Sequence, residues 1–184
     1  MPHPIRRLAP ALALTCTLSA GATACGGGSA AEEAAVYITA PTPSPTTQDE
    51  REDFARARFA ATAGLAAGAA YRWIVKPWKD GVFDKGVQGR AAALDKAGLA
   101  GTFAYNKLKT LQRNAQGDPE LVEDLAPLVP ELERLKDLPA KLRAGDEAAM
   151  RTFDETIGKV RGVGSRADAH IRVMIPTESQ LAAG

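Results

Sequence analysis

Apolar residues recur at spacings of three and four from about residue 48 to the end of the chain, and no stretch alternates with a sustained period of two. Spacings of three and four place side chains on one face of an α-helix, whereas a half-buried strand requires alternation. Alanine, leucine, lysine, arginine and glutamate, all good helix formers, dominate the same region. The pattern therefore predicts an all-α domain over residues 49–184.

The first two predicted helices cover about residues 48–75 and 88–115. We expect the first to end ahead of Pro77, because the residue before a proline is disfavoured in the helical region. We expect the second to end at Gly117, since glycine commonly follows the last helical turn.

The third predicted helix opens at Asp118, whose carboxylate can cap the first turn, and runs to about residue 143. Pro127 and Pro130 lie inside this range and must break or kink it. The fourth begins near Asp146 and continues to Pro176. Its predicted core positions are Met150, Phe153, Ile157, Val160, Ala167, Ile171 and Met174. Four amphipathic helices with short connections predict an up-and-down four-helix bundle.

The first two helices each carry small residues on one face, with Gly64 and Gly68 on the first and Gly98 and Gly101 on the second. Glycine costs a helix about 1 kcal/mol relative to alanine, so several glycines on one face need a compensating gain. Close approach of two backbones supplies such a gain. We therefore predict that the first and second helices pack together through these small faces.

The most apolar stretch of the domain covers residues 59–75. It is shorter than the ~20 residues that a membrane span needs, it is rich in alanine, and it contains Arg72. We interpret it as a buried core helix, with membrane insertion as the alternative.

A different pattern precedes the helices. His3, Arg6 and Arg7 form a short charged start, residues 8–22 are mostly apolar, and small residues lead to Cys25. This arrangement resembles the N-terminus of a bacterial lipoprotein, in which the cysteine follows a lipobox. The resemblance implies a signal peptide over residues 1–24 and lipid on Cys25. Secretion after cleavage at an A-x-A-like site and an uncleaved anchor are the alternatives.

Residues 25–48 separate this start from the helices, beginning with three glycines after the cysteine and including the run Pro-Thr-Pro-Ser-Pro-Thr-Thr. Prolines at this density exclude a regular helix and favour an extended spacer. A chain of this length spans roughly 80 Å when fully extended. We interpret the segment as a tether that holds the domain off a membrane, with a composition that also permits O-glycosylation.

Composition limits the chemistry of the domain. The two cysteines are Cys16 and Cys25, so the helical region has no thiol for a disulfide, a thiolate metal site or cysteine catalysis. The whole chain carries 23 basic and 22 acidic residues, which argues against nucleic acid as a partner. The charge is uneven, however: residues 51–113 have 12 Lys and Arg against 5 acids, and residues 114–184 have 9 against 13. Either these halves present packed or solvated faces, or the basic half faces an anionic surface.

Catalytic and metal-binding patterns are weak. His170 is the single histidine of the domain, whereas a di-metal site in a four-helix bundle needs Glu-x-x-His pairs on two helices. Ser165 lacks the strand-turn-helix context of a nucleophile elbow. We interpret paired carboxylates such as Asp154 and Glu155 as solvated helix surface. We expect no enzymatic activity, no cofactor and no metal.

One segment near the end of the first helix concentrates aromatic and basic residues. It contains Trp73 and Trp78, interleaved with Arg72, Lys76 and Lys79. Under one hypothesis the tryptophans plug the end of the bundle. Under the other these five residues bind a partner, with indoles against sugar rings or lipid headgroups and cations against anions. Trp78 is then the preferred candidate, because it follows the proline at the predicted turn.

These observations predict a membrane-tethered, extracytoplasmic helical module that binds or scaffolds envelope components without catalysis. Lipid on Cys25 would hold it at the outer face of the cytoplasmic membrane, with an anionic envelope polymer or another envelope protein as partner. The alternatives are secretion, a membrane-apposed protein that contacts anionic lipid or wall polymer through the Trp/Lys segment, and an unrecognised enzyme. The alanine-, glycine- and arginine-rich composition with this tether resembles uncharacterised lipoproteins of high-GC Gram-positive bacteria, a likeness that implies no activity.

Overall fold

The computed structural model describes residues 44–184, and the predicted signal peptide, Cys25 and most of the predicted tether lie outside the described residues. Every regular element in the described part is helical, which confirms the all-α prediction. The α-helices are α1 (Gln48–Ala70), α2 (Lys76–Lys79), α3 (Arg90–Ala115), α4 (Pro119–Leu125), α5 (Val129–Arg134), α6 (Leu138–Arg143), α7 (Glu147–Arg166) and α8 (Glu178–Ala182). A π-helical segment, Tyr71–Val75, joins α1 to α2, and 3-10 turns Ala126–Leu128 and Leu135–Asp137 separate α4, α5 and α6.

The long helices pack as a bundle with antiparallel neighbours. Near the end of α3, the side-chain amide of Asn114 donates to Thr62 Oγ1 in α1 at 2.8 Å, while Gly117, three residues later, lies against Arg51 and Ala55 nearer the start of α1. In α7, Lys159 pairs with Glu131 while Arg166, one helical stretch later, pairs with the earlier residue Asp124. The chain therefore reverses between α1 and α3 and again between the α4–α6 segment and α7.

A single apolar cluster holds these helices together. Its fully buried larger members are Phe59, Ile74, Leu108, Leu111, Leu121, Leu125, Leu135, Leu142, Met150, Phe153, Val160 and Val163. All residues of the cluster lie between Phe59 and Leu181, and α1 carries its own capping box, in which Thr47 and Glu50 bond each other's backbone N–H groups. Residues 44–184 thus hold a closed core of their own.

Residues 59–75 contribute buried side chains to this core, including Phe59, Ala63 and Ile74. This agrees with the interpretation of the stretch as a core helix. Among residues 44–184, no helix combines the length and the apolar character that crossing a membrane requires.

The N-termini of the later helices follow local sequence signals. Asp118 accepts hydrogen bonds from the N–H groups of Glu120 and Leu121, and Asp146 caps α7 in the same way. The prolines of the third segment break it into short helices, as predicted, because each proline lacks the donor that an uninterrupted α-helix needs.

The prediction that the first helix ends before Pro77 is wrong. The chain stays helical through Lys79, because residues 71–75 adopt a π-helical turn in which the Lys76 N–H donates to the carbonyl of Tyr71, five residues back. This wider turn accommodates a residue that has no N–H and whose ring crowds the preceding turn. Pro77 then occupies the first turn of α2, where its fixed φ is compatible with a helix.

The prediction that the fourth helix continues to Pro176 is also wrong. The helix α7 ends at Arg166, and Asp168 adopts a positive φ of 54°, a conformation that terminates helices. Ile171 is half-buried and Met174 is exposed, so Met174 is not a core position. Residues 168–176, called the strap below, have no regular structure and lead to the short helix α8, which the sequence analysis did not predict.

The strap, and not the second helix, covers the two glycines of α1. A Cβ atom on Gly64 would collide with the carbonyl oxygen of Arg172, and one on Gly68 with that of Met174. Four helical residues rise about 6 Å, a distance that two residues cover only when they are extended. The strap therefore crosses α1 in an extended conformation, fixed by a 3.0 Å hydrogen bond from the Met174 N–H to the carbonyl of Gly64.

The glycines of α3 likewise meet a different neighbour from the one predicted. Gly98 faces the side chain of Arg143 and Gly101 faces Leu142, both in α6. The first and second predicted helices, α1 and α3, do pack extensively against each other. The prediction that they pack through Gly64, Gly68, Gly98 and Gly101 is wrong, although these positions do lie at close contacts.

Candidate binding surface beside the strap

A cleft of about 280 Å³ opens between the end of α1, the π-helical segment, α7 and the strap. Its walls are mainly apolar, and its lining consists of Ala67, Ala70, Tyr71, Val75, Asp154, Ile157, Arg161 and Val173. Small alanine side chains on α1 leave the space, and the strap closes one side of it. The cleft lies just below the roughly 300–1,000 Å³ of small-ligand pockets, so its size suits a small ligand or an inserted apolar group.

The π-helical segment determines which aromatic side chain reaches the cleft. Tyr71 is the first residue of the segment, lines the cleft, and is 53% exposed. Ile74 and Val75 of the same segment are buried. The segment therefore directs two aliphatic side chains inward while it leaves an amphipathic aromatic ring at the surface. Single π-helical turns of this kind occur frequently at functional sites.

Two charged residues border the cleft, and their surroundings differ. Asp154 is neutralised by Lys79, whose ammonium nitrogen lies 3.1 Å from the carboxylate. Arg161 is exposed, and within residues 44–184 no carboxylate lies within 4.0 Å of its guanidinium. The cleft therefore offers an apolar interior with a positive charge at its edge that has no ion-pair partner among residues 44–184.

Exposed apolar side chains extend this surface beyond the cleft. Tyr71, Val173, Met174 and Ile175 are all exposed where the strap crosses the end of α1, and we call these four residues the apolar patch. Ile175 is 56% exposed, the highest value among the large apolar residues of the described chain. The other exposed large apolar residues lie on separate elements: Phe54, Val87, Leu99 and Val122. Isolated exposed residues are ordinary, whereas a cluster marks an interaction surface.

The structure places the predicted site residues around this patch but not in one recognition loop. Trp73 and Trp78 are half-buried and pack against the core. Lys76 pairs with Asp80, whose hydrogen bond raises the pKa of the lysine, and Lys79 pairs with Asp154. These contacts fit the hypothesis that the tryptophans plug the end of the bundle, and a binding role for the two lysines stays a prediction.

Arg72 is the remaining predicted residue of that segment. It is exposed, and no carboxylate within residues 44–184 lies within 4.0 Å of it. Cys25, the predicted lipidation site, lies outside the described residues.

Sequence reasoning missed Val173, Ile175 and Arg161. It assigned the strap to a helix, where Ile171 and Met174 fitted the spacing of core positions. The available signal was the run from Ile171 to Ile175, in which every residue except Arg172 is apolar. An amphipathic helix alternates apolar and polar faces, so consecutive apolar residues do not fit one.

The described residues contain no group of three or more histidine, cysteine, aspartate or glutamate side chains positioned to hold a metal ion. His170 and Asp168 lie 3.3 Å apart on the exposed strap, outside the cleft lining. Comparison of the chain with known protein families, with curated proteins and with solved structures gives no match.

Proposed function

We propose that this protein is a lipid-tethered, extracytoplasmic helical module that binds a component of the cell envelope and performs no catalysis. The cleft beside the strap is the observation that carries the binding role. It combines apolar walls, an exposed tyrosine and an arginine without a described partner, and it lies on a surface where other exposed apolar residues gather. The tethering rests on the lipoprotein-like start of the sequence, ending at Cys25.

The tethering is tested by the Cys25→Ser variant. We expect the wild-type chain to fractionate with membranes and to begin at a lipid-modified Cys25, as measured by intact mass. The variant should leave the membrane fraction. Unchanged fractionation of the variant, together with a mature N-terminus elsewhere, would refute the anchor.

Binding in the cleft is tested with 1-anilinonaphthalene-8-sulfonate, a fluorescent probe that combines an apolar ring system with one anionic group. Val173 lines the cleft and is 46% exposed, so Val173→Trp should fill the cleft without entering the core. We expect its Kd for the probe to rise about fivefold, equivalent to about 1 kcal/mol.

Val122 on α4 provides a matched control, because it is 45% exposed and lies outside the cleft. Val122→Trp should leave the Kd unchanged. Equal affinities for all three proteins would exclude the cleft as the binding site.

A further inference from the structure

We infer that the apolar patch and the arginines beside it form a docking surface for an anionic lipid bilayer. This inference rests on the proposed function and names the envelope component that the surface binds. Its first support is the clustering itself: Tyr71, Val173, Met174 and Ile175 expose apolar surface at one crossing point, while the other large exposed apolar residues are dispersed. Shallow insertion of a few apolar side chains is the mode by which peripheral proteins enter the headgroup region.

Charge complementarity identifies the lipid as anionic. Arg72 and Arg172 adjoin members of the patch in sequence, and Arg161 lines the cleft together with Tyr71 and Val173. All three arginines are exposed, and none has a carboxylate within 4.0 Å among residues 44–184.

Two carboxylates adjoin this surface, and each already contacts a basic side chain of the described residues. Asp154 of the cleft pairs with Lys79, and Asp168 of the strap contacts His170. Three positive charges therefore stand beside exposed apolar side chains without neutralisation from within the described chain. Arginine suits such a position, because its alkyl stem can lie against apolar groups while the guanidinium meets phosphate oxygens.

The geometry of the tether permits this contact. The apolar patch lies at the end of α1 opposite Gln48, and the 23 residues of that helix span roughly 35 Å. The 22 residues between Cys25 and α1 reach roughly 75 Å when extended, which exceeds the length of the helix. A domain anchored through Cys25 can therefore turn the patch towards the membrane that holds it, and the tether raises the local concentration of lipid around it.

The test uses residues 44–184, which hold a closed core and carry no lipid. Co-sedimentation is measured with vesicles of phosphatidylcholine alone and with vesicles that contain about 30 mol% phosphatidylglycerol at physiological ionic strength. We expect binding to the anionic vesicles and at least about tenfold weaker binding to the neutral ones, because an anionic surface attracts each nearby arginine by the equivalent of roughly fivefold in affinity.

Two matched pairs of variants separate this surface from general electrostatics. The triple variant Arg72→Gln/Arg161→Gln/Arg172→Gln should bind anionic vesicles roughly a hundredfold more weakly, by the same fivefold factor for each arginine. The control triple variant removes the same charge from three exposed arginines elsewhere, at Arg51, Arg113 and Arg134, and should change binding by less than about threefold.

In the second pair, Tyr71→Ser/Ile175→Ser should weaken vesicle binding, while Leu99→Ser/Val122→Ser, which removes exposed apolar residues elsewhere, should not. Circular dichroism confirms that each variant is folded.

No binding to anionic vesicles, or equal losses in both triple variants, would overturn the inference. So would concentration-dependent dimerisation that Ile175→Ser abolishes while vesicle binding persists, because the patch would then join two copies of the chain. Failure of the Cys25→Ser test refutes the tether alone, so the two proposals can fail separately.

Discussion

The two ends of the first long helix use charge in opposite ways. At its beginning, Arg56 donates a hydrogen bond to Asp118, which is 1% exposed and also caps α4, so that one carboxylate satisfies three donors. At its other end, Arg72 is exposed and the apolar Tyr71 beside it faces solvent. The polar groups at the first end are therefore paired within the fold, and we call it the closed end. The charged and aromatic side chains at the other end face solvent, and we call it the open end.

The largest effect on the closed end is expected from Asp118→Ala. The substitution removes the cap of α4 and leaves the Arg56 guanidinium, which lies at a partly buried position, without its main acceptor. We expect a loss of about 2–4 kcal/mol in the free energy of unfolding, measured with urea.

The matched control is Asp146→Ala, which removes the cap of α7 without breaking an ion pair among the described residues. It should lower the free energy of unfolding by about 1 kcal/mol. Equal losses for the two variants would show that the contact with Arg56 contributes nothing to stability. Vesicle binding should survive in any folded Asp118 variant, because Asp118 lies at the opposite end of α1.

An intermediate effect is expected at the open end, where the strap lies on Gly68. A methyl group there collides with backbone atoms of Met174 and Ile175, which cannot move aside as a flexible side chain can. Gly68→Ala should therefore destabilise the protein by about 1–3 kcal/mol. It should also accelerate tryptic cleavage at Arg172 in the strap.

Gly158 in α7 provides the control, since a Cβ there meets nothing within 4 Å. Gly158→Ala should stabilise the protein by about 1 kcal/mol, the ordinary difference in helix propensity. A stabilising Gly68→Ala would mean that the strap does not rest on this glycine.

The smallest effect concerns Glu50 at the start of α1. Hydrogen bonds from the backbone N–H groups of Thr47 and Thr46 lower the pKa of Glu50 from 4.5 to about 2. Because the pKa is lower in the folded state, the contribution to stability is present above pH 4.5 and is lost as the pH falls towards about 2. The urea midpoint of wild type relative to Glu50→Gln should therefore fall across this window. A difference between the two proteins that does not depend on pH would contradict the capping interaction.

Features that depend on neighbouring residues could be predicted from the sequence, whereas contacts between distant segments could not. Asp118 and Asp146 correctly predicted helix starts, because a cap acts within its own first turn. The same kind of reasoning failed at Pro77, where a proline was expected to end the helix. The π-helical turn before Pro77 lets the chain continue as a helix. Gly64 and Gly68 indicated a close contact with another part of the backbone. The local sequence does not identify that part, because the strap lies more than 100 residues later in the chain.

The candidate site was the least predictable part for the same reason. Its members come from α1, the π-helical segment, α7 and the strap, and only Tyr71, Arg72 and Val75 belong to the aromatic and basic segment that the sequence singled out. The clustering of aromatic and basic residues indicated the same end of the first helix as the cleft. The exposure of Ile175 depends on where α7 ends, which the continuing spacing of Ile171 and Met174 concealed.

The π-helical turn has a consequence for the angular phase of the helix. Trp73 and Trp78 are five residues apart, so in a regular α-helix, with about 100° per residue, their side chains would point about 140° away from each other. Both nevertheless pack against the same core. The wider turn absorbs one residue of rotation and brings positions five apart towards a common side. The chain thereby packs both half-buried indoles against the core and leaves one phenol exposed. Because the wider turn holds one residue more than an α-helical turn, loss of one residue within 71–75 would restore a regular α-helix while the tip keeps its orientation on the bundle.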